Sequence, residues 1–230
     1  HEFIIIADTG ESKIYTDKKI FNIDLNKYKF EESSLELMRK EYSKIYAATD
    51  EKFNKNEFDK KVSKENQIIT KGIEVGHIFY FGDKYSKPLN GLVDTQDGKK
   101  HSVKMGSYGI GVSRLVGAII EAKYNNEIMK WPKSVSPFDV VIIPSINKND
   151  NKNLEKANKI YKELKKQNID ALLDEVDENM STKFKKHDLI GIPFQIIIGS
   201  KSQDDLLEFK EVNSESKSLS LKEIVEKLKK

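Results

Sequence analysis

The run Gly106-Ser107-Tyr108-Gly109-Ile110-Gly111, leading into Val112-Ser113-Arg114, constrains the fold more than any other part of the chain. Gly109 and Gly111 are two positions apart, so on a strand they leave one face without side chains. From Arg114 to Tyr124 the apolar residues Leu115, Ile119 and Ile120 recur at helical spacing, so the bare strand feeds directly into a helix. A flat ligand fits such a face, with Arg114 arriving from the helix. Arg114 is one of only two arginines, with Arg39, in a chain of 40 Lys and Arg residues. A planar guanidinium stacks on a base and grips a phosphate through two parallel hydrogen bonds, which a lysine ammonium cannot do.

Strand patterns surround this run. Ile73 to Phe81 is apolar and punctuated by Gly72, Gly76 and Gly82; Leu92-Val93-Asp94 precedes the turn Asp97-Gly98; Ser102 to Val112 reads as one glycine-interrupted strand. Three antiparallel strands are expected. Phe3 to Ala7 is a further strand ending in the turn Asp8 to Ser12, and residues 13–66 read as a small lysine-rich insertion without clear strands. Within it, Leu35, Met38, Tyr42, Ile45 and Tyr46 give Ser34 to Ala48 an amphipathic helical pattern.

Trp131-Pro132 and Ser136-Pro137 mark a linker, beyond which strands alternate with helices. Phe138 to Ile143, Ile169 to Leu173, Phe194 to Ile198 and Leu206 to Phe209 read as strands. Asn151 to Gln167, Ser181 to Leu189 with a capping serine, and Leu221 to Leu228 read as helices. That alternation predicts an α/β domain over residues 138–230 with a mixed, mostly parallel sheet.

With 37% hydrophobic residues the 230-residue chain can build real cores, and its mean hydropathy of -0.60 with 33% charged residues predicts solubility. No apolar run approaches the roughly 20 residues of a membrane helix, and no basic-then-apolar leader opens the chain. A cytoplasmic location, with no membrane partner, is expected. The absence of cysteine rules out a disulfide framework and thiolate zinc sites, and four scattered histidines offer no metal spacing. A net charge of +3 and a pI near 8.7 are too mild to establish nucleic-acid binding alone. Because the chain opens at His1 inside an apolar run, it reads as a piece whose earlier part is missing.

Two phosphate-binding motifs fail. Gly109-Ile110-Gly111 begins like a dinucleotide fingerprint, but Arg114 replaces the third glycine and the run closes an antiparallel group instead of opening a βαβ unit. Gly199-Ser200-Lys201-Ser202 lacks the Gly-Lys pair and the earlier glycine of a phosphate loop.

Residues Gly106 to Glu121 resemble the third signature of class II aminoacyl-tRNA synthetases, a strand of alternating glycines ending in an arginine that starts a helix. Gly72-Ile73-Glu74-Val75-Gly76-His77-Ile78-Phe79, Lys84-Tyr85-Ser86, Met105 to Arg114 and Trp131-Pro132 together look like the bacterial prolyl-tRNA synthetase family. His1-Glu2-Phe3, Ala7 and Gly10-Glu11 look like the segment entering that family's insertion, here shortened. Residues 138–230 resemble the anticodon-binding domain shared by prolyl, threonyl, histidyl and glycyl enzymes, notably at Leu172-Leu173-Asp174 and Leu189-Ile190-Gly191-Ile192-Pro193.

The resemblance implies a partial antiparallel-sheet catalytic domain over residues 1–12 and 67–132, the insertion at 13–66 and the anticodon-binding domain at 138–230. It implies ATP-dependent activation of L-proline and transfer to tRNA(Pro), with ATP as substrate, Mg2+ expected, no tightly held protein metal and a homodimer. Arg114 would stack on adenine and touch the triphosphate, while Gly109 and Gly111 let the nucleotide approach. Ser107, standing where the family often has cysteine, would line the proline pocket together with His77 and Tyr80. Asp174, Lys183 and Phe184 are the candidate anticodon contacts, although Asp174-Glu175-Val176 and Asn179-Met180-Ser181 depart from the family's Asp-Arg and Arg-Pro-Gly.

The first two signatures are not found. Arg39-Lys40-Glu41 spells the Arg-x-Glu of the second, but in an amphipathic helix without its strand and loop. The 230 residues alone are thus expected not to activate proline, and the short insertion to lack the removal of mischarged alanine. Another relative such as threonyl-tRNA synthetase, or a non-catalytic synthetase-like RNA-binding protein, are the alternatives.

Overall fold

The computed structural model describes residues 1–24, 27–29, 31–147, 150–199, 202 and 206–229. Ser200 and Lys201 of the rejected phosphate loop lie outside the described residues. The chain divides into two units, residues 1–122 and 123–230. The proline-marked segment around Trp131 belongs to the second, where Trp131 N–H donates to Gly191 C=O at 3.0 Å.

In the first unit the elements run β1 (Glu2–Ile6), β2 (Ser12–Asp17), α1 (Glu32–Tyr42), β3 (Ala47–Thr49), α2 (Lys55–Lys61), β4 (Gln67–Gly82), β5 (Leu92–Asp94), β6 (Lys100–Ser102), β7 (Met105–Ile110) and α3 (Val112–Lys123). The long strand β4 organises them all. Its first part, Gln67 to Gly72, pairs with β2, and its last part, Gly76 to Gly82, pairs with β7. Glu2 of β1 and Gly109 of β7 both oppose His77, so β1 and β7 flank β4 on opposite sides. All of these pairings are antiparallel.

Some expectations for the first unit need correction. Residues 13–66 hold β2 and β3, paired with each other and, through β2, with β4. Lysine, threonine and aspartate break the alternation of these strands, so their sequence carries little strand signal. Tyr15 of β2 stacks on Phe53 at 3.6 Å and meets the buried Phe58 edge-on. The single strand expected over Ser102 to Val112 is also two pieces: β6 forms a separate hairpin with β5, and only β7 joins β4.

One close approach fixes the turn before β2. A Cβ on Gly10 would lie 2.4 Å from the Gly72 backbone, so the turn rests directly on β4.

The second unit runs β8 (Val140–Pro144), α4 (Lys152–Lys166), β9 (Ala171–Leu173), α5 (Met180–Ile190), β10 (Phe194–Ile198), β11 (Leu207–Glu211), β12 (Lys217–Leu219) and α6 (Leu221–Leu228). Its sheet has the order β12-β11-β10-β8-β9, with β8 parallel to β9 and β10, and antiparallel pairings at β10-β11 and β11-β12. Ala157, Ile160 and Leu164 of α4 pack on one face with Ile224 and Leu228 of α6, and Phe184 of α5 packs with Val141, Ile143 and Ile192 on the other. The cap of α5 is Asn179, whose side chain accepts the Thr182 N–H, not the expected Ser181. Gly191 ends that helix at φ 79°, where a Cβ would also strike Met129.

Candidate functional site

Alternation along paired strands sorts the first unit's candidate residues onto two faces. His77 opposes Gly109 and Phe79 opposes Ser107, so these four share a face; Tyr80 opposes Gly106 and lies on the other. His77 stacks on Phe79 at 3.7 Å between ring centroids, and Phe79 lies parallel to Phe81 at 5.7 Å. The result is an aromatic floor beside a strand that shows Ser107 and Gly109 on this face.

Arg114 closes this floor. Gly111 N–H completes the pairing with Val75 C=O at 2.9 Å, and Gly111 C=O then accepts the Leu115 N–H at 2.7 Å, so the strand turns into α3 within one residue. From the first turn of α3 the Arg114 guanidinium reaches back to donate to Glu74 C=O at 3.0 Å, with the Glu11 carboxylate 3.9 Å away. A concavity of about 330 Å³ results, lined by Glu74, His77, Phe79, Ser107, Gly109 and Arg114 among others. Among the described residues, nothing beyond its chain neighbours comes within 4 Å of the place a Cβ on Gly109 would take, so packing does not require glycine there.

The structure brings Arg114, Gly109, Gly111, Ser107 and His77 together. Tyr80 stands apart, 77% exposed on the opposite face. Its separation follows from the odd spacing of 77 and 80 on one strand, a signal the sequence already carried. Glu74 and Phe79 line the concavity as well. Phe79 shares the parity of His77, and Glu74 meets His77 Nδ1 through its carboxylate at 3.1 Å. Among the described residues no group of three or more His, Asp and Glu side chains is placed to hold a metal ion.

In the second unit two candidate anticodon contacts are interior. Lys183 is 0% exposed and Asp174 5% exposed, so neither offers its side chain to a base. Phe184 is half-buried against the sheet. Met180, Lys183, Phe184 and His187 form the sheet-facing stripe of α5, a spacing that places Lys183 inside. The Asp174 carboxylate accepts from His187 Nε2 at 2.7 Å and Lys186 Nζ at 3.0 Å. Burial by itself raises a carboxyl pKa; here the His187 and Lys186 hydrogen bonds, the Val176 N–H and the Lys183 charge overcome it and hold Asp174 at about 2. Burial lowers the pKa of both Lys183 and His187.

Comparison with known proteins follows the same division. Residues 8–123 match the tRNA synthetase class II core domain (G, H, P, S and T), and residues 139–230 match the anticodon binding domain. The chain is 62% identical over 228 residues to the proline-tRNA ligase of Pelagibacter ubique (strain HTCC1062), covering 98% of this chain and 51% of that protein. It is 46% identical over 205 residues to the proline-tRNA ligase of Bartonella quintana (strain Toulouse), covering 88% and 46%. It thus spans about half the length of the curated relatives it matches. The crystal structure of prolyl-tRNA synthetase from Cryptosporidium parvum complexed with L-proline and AMP has a TM-score of 0.62 at 20% identity, covering 69% of this chain and 33% of that one, a likeness of fold.

Proposed function

The chain belongs to the class II aminoacyl-tRNA synthetases, and from that membership we propose that it forms part of a proline-tRNA ligase, with the third signature of the ATP site in its first unit and the anticodon-binding domain as its second. The observation that carries the reading is Arg114, seated on β4 by Glu74 C=O beside the bare strand face of Gly109. Because the relatives are about twice as long, the activity is proposed for a polypeptide of their length carrying this sequence.

In the proposed reaction a proline carboxylate oxygen attacks the α-phosphorus of ATP and pyrophosphate leaves; a hydroxyl of the terminal ribose of tRNA(Pro) then attacks the carbonyl and AMP leaves. No covalent bond to the enzyme is needed, so the side chains act by positioning and charge neutralisation. Arg114 stacks on adenine and meets the triphosphate with its remaining N–H groups. Gly109 and Gly111 let the nucleotide lie against the strand, and Ser107 and His77, on the same face, border the amino acid. Tyr80 has no place in this pocket. Mg2+ arrives with the nucleotide phosphates. A homodimer and a cytoplasmic location belong to the same reading; among the described residues no helix is long and apolar enough to cross a membrane.

A non-hydrolysable prolyl-adenylate analogue tests the proposal. It should raise the melting temperature of the full-length polypeptide, while the threonyl analogue at equal concentration should not. Stabilisation by the threonyl analogue alone would reject proline as substrate.

A further inference from the structure

The Lys183 ammonium, fully buried, donates to the main-chain carbonyls of Pro144 and Asp174, each at 3.0 Å. Pro144 ends β8 and Asp174 directly follows β9, so one side chain joins the carboxyl ends of two parallel neighbours. An ammonium taken out of water is costly unless well paired, and an apolar residue of like volume fills such a place without that cost. What the charge holds is the loop between β9 and α5. The Asp174 carboxylate accepts the Val176 N–H at 3.1 Å together with His187 and Lys186, and Lys186 also reaches Glu178 at 3.1 Å. Lys183, Lys186 and His187 of α5 therefore grip both ends of the loop and leave Glu175, Val176 and Asp177 exposed at its crest.

The location gives the grip a purpose. From β8 the chain passes to β9 on one side and then to β10 on the other. Open α/β sheets bind ligands outside the carboxyl ends of the strands at such a switch point.

We propose that Lys183 is a positioning residue for RNA recognition, holding the crest 175–177 as a preformed element on which unpaired anticodon bases are read. The inference rests on the second unit being an anticodon-binding domain. The crest has the chemistry for the task. The exposed Glu175 carboxylate is an acceptor for the N–H groups of a base edge, and Val176, 50% exposed, is an apolar contact for a base face. A loop ordered in advance loses less conformational freedom on binding.

Fluorescence anisotropy of the 230-residue chain with a tRNA(Pro) transcript, and with the same transcript carrying a replaced anticodon, tests this. The unaltered chain should prefer the proline anticodon. Lys183→Met, which keeps the volume, should reduce that preference about tenfold, with the weak salt-dependent affinity for the replaced transcript and the melting of the second unit preserved. Glu178→Gln, which loosens the far end of the loop from the surface, should reduce it about threefold and decides the matter if Lys183→Met does not fold. Full preference in a folded Lys183→Met protein, or in Glu178→Gln where the former is unfolded, overturns the positioning role. No preference in the unaltered chain overturns the anticodon-binding reading beneath it.

Discussion

The Arg114 guanidinium donates to the main-chain carbonyl of Glu74 at 3.0 Å, tying the first turn of α3 to a strand residue 40 positions earlier. Because Glu74 contributes its backbone, the anchor does not depend on the Glu74 side chain. With one N–H so engaged and the side chain still 56% exposed, the guanidinium keeps donors and a planar face for a ligand.

Replacing Arg114 by Lys keeps the charge but loses both the plane and the fork. In a full-length polypeptide, Arg114→Lys should lower proline-dependent pyrophosphate exchange by about 100-fold, the scale of losing one oriented charge-stabilising donor. Tight binding of tRNA should persist. Unchanged exchange kinetics would show that Arg114 takes no part in activation.

Two glycines should respond in opposite ways. Gly109→Ala places its methyl in open space and should leave the melting temperature nearly unchanged while raising the KM for ATP about tenfold. Gly10→Ala pushes a methyl to 2.4 Å from the Gly72 backbone and should destabilise the first unit by about 2 kcal/mol or more. Paired thermal melts and ATP titrations separate the two effects.

Much of this site was legible in the sequence because it rests on local rules. Alternating glycines, Arg114 and the helical pattern after it fix a strand, a turn and a helix without reference to distant residues. Phe194 to Ile198 and Leu221 to Leu228 were legible for the same reason, as an apolar strand and a helix opened by a Ser220–Glu223 capping box. What was not legible depends on tertiary context. β2 owes its existence to β4, 50 or more residues away, and its polar composition carries little strand signal. Lys183 looked like a surface cation because lysine usually is one; only the carbonyls of Pro144 and Asp174, brought together by the parallel pairing of β8 and β9, make an interior place for it.

The buried carboxylate sets an acid limit on the second unit. Asp174 sits at about 2 against an ordinary value near 3.8, so its contribution is present above about pH 4 and is lost as the pH falls towards 2. That difference corresponds to about 2 kcal/mol. His187, kept neutral by burial, acts in the same direction from higher pH, because below about 6.5 the unfolded chain takes up a proton that the folded one resists. Melting of the second unit should therefore weaken below pH 6.5 and steeply below pH 4. Asp174→Asn should lower stability at pH 7 by about 3 kcal/mol, leaving Lys183 buried without its counter-charge, and should flatten the acid limb. An acid limb as steep in Asp174→Asn as in the unaltered chain would place its origin elsewhere.

The most direct test of the central claim is amino-acid-dependent ATP–pyrophosphate exchange by a polypeptide of the relatives' length carrying this sequence, run with each amino acid in turn. Exchange that requires proline, is not supported by threonine and collapses in Arg114→Lys is the predicted result. Exchange driven by another amino acid, or tRNA binding with no exchange at all, would contradict it.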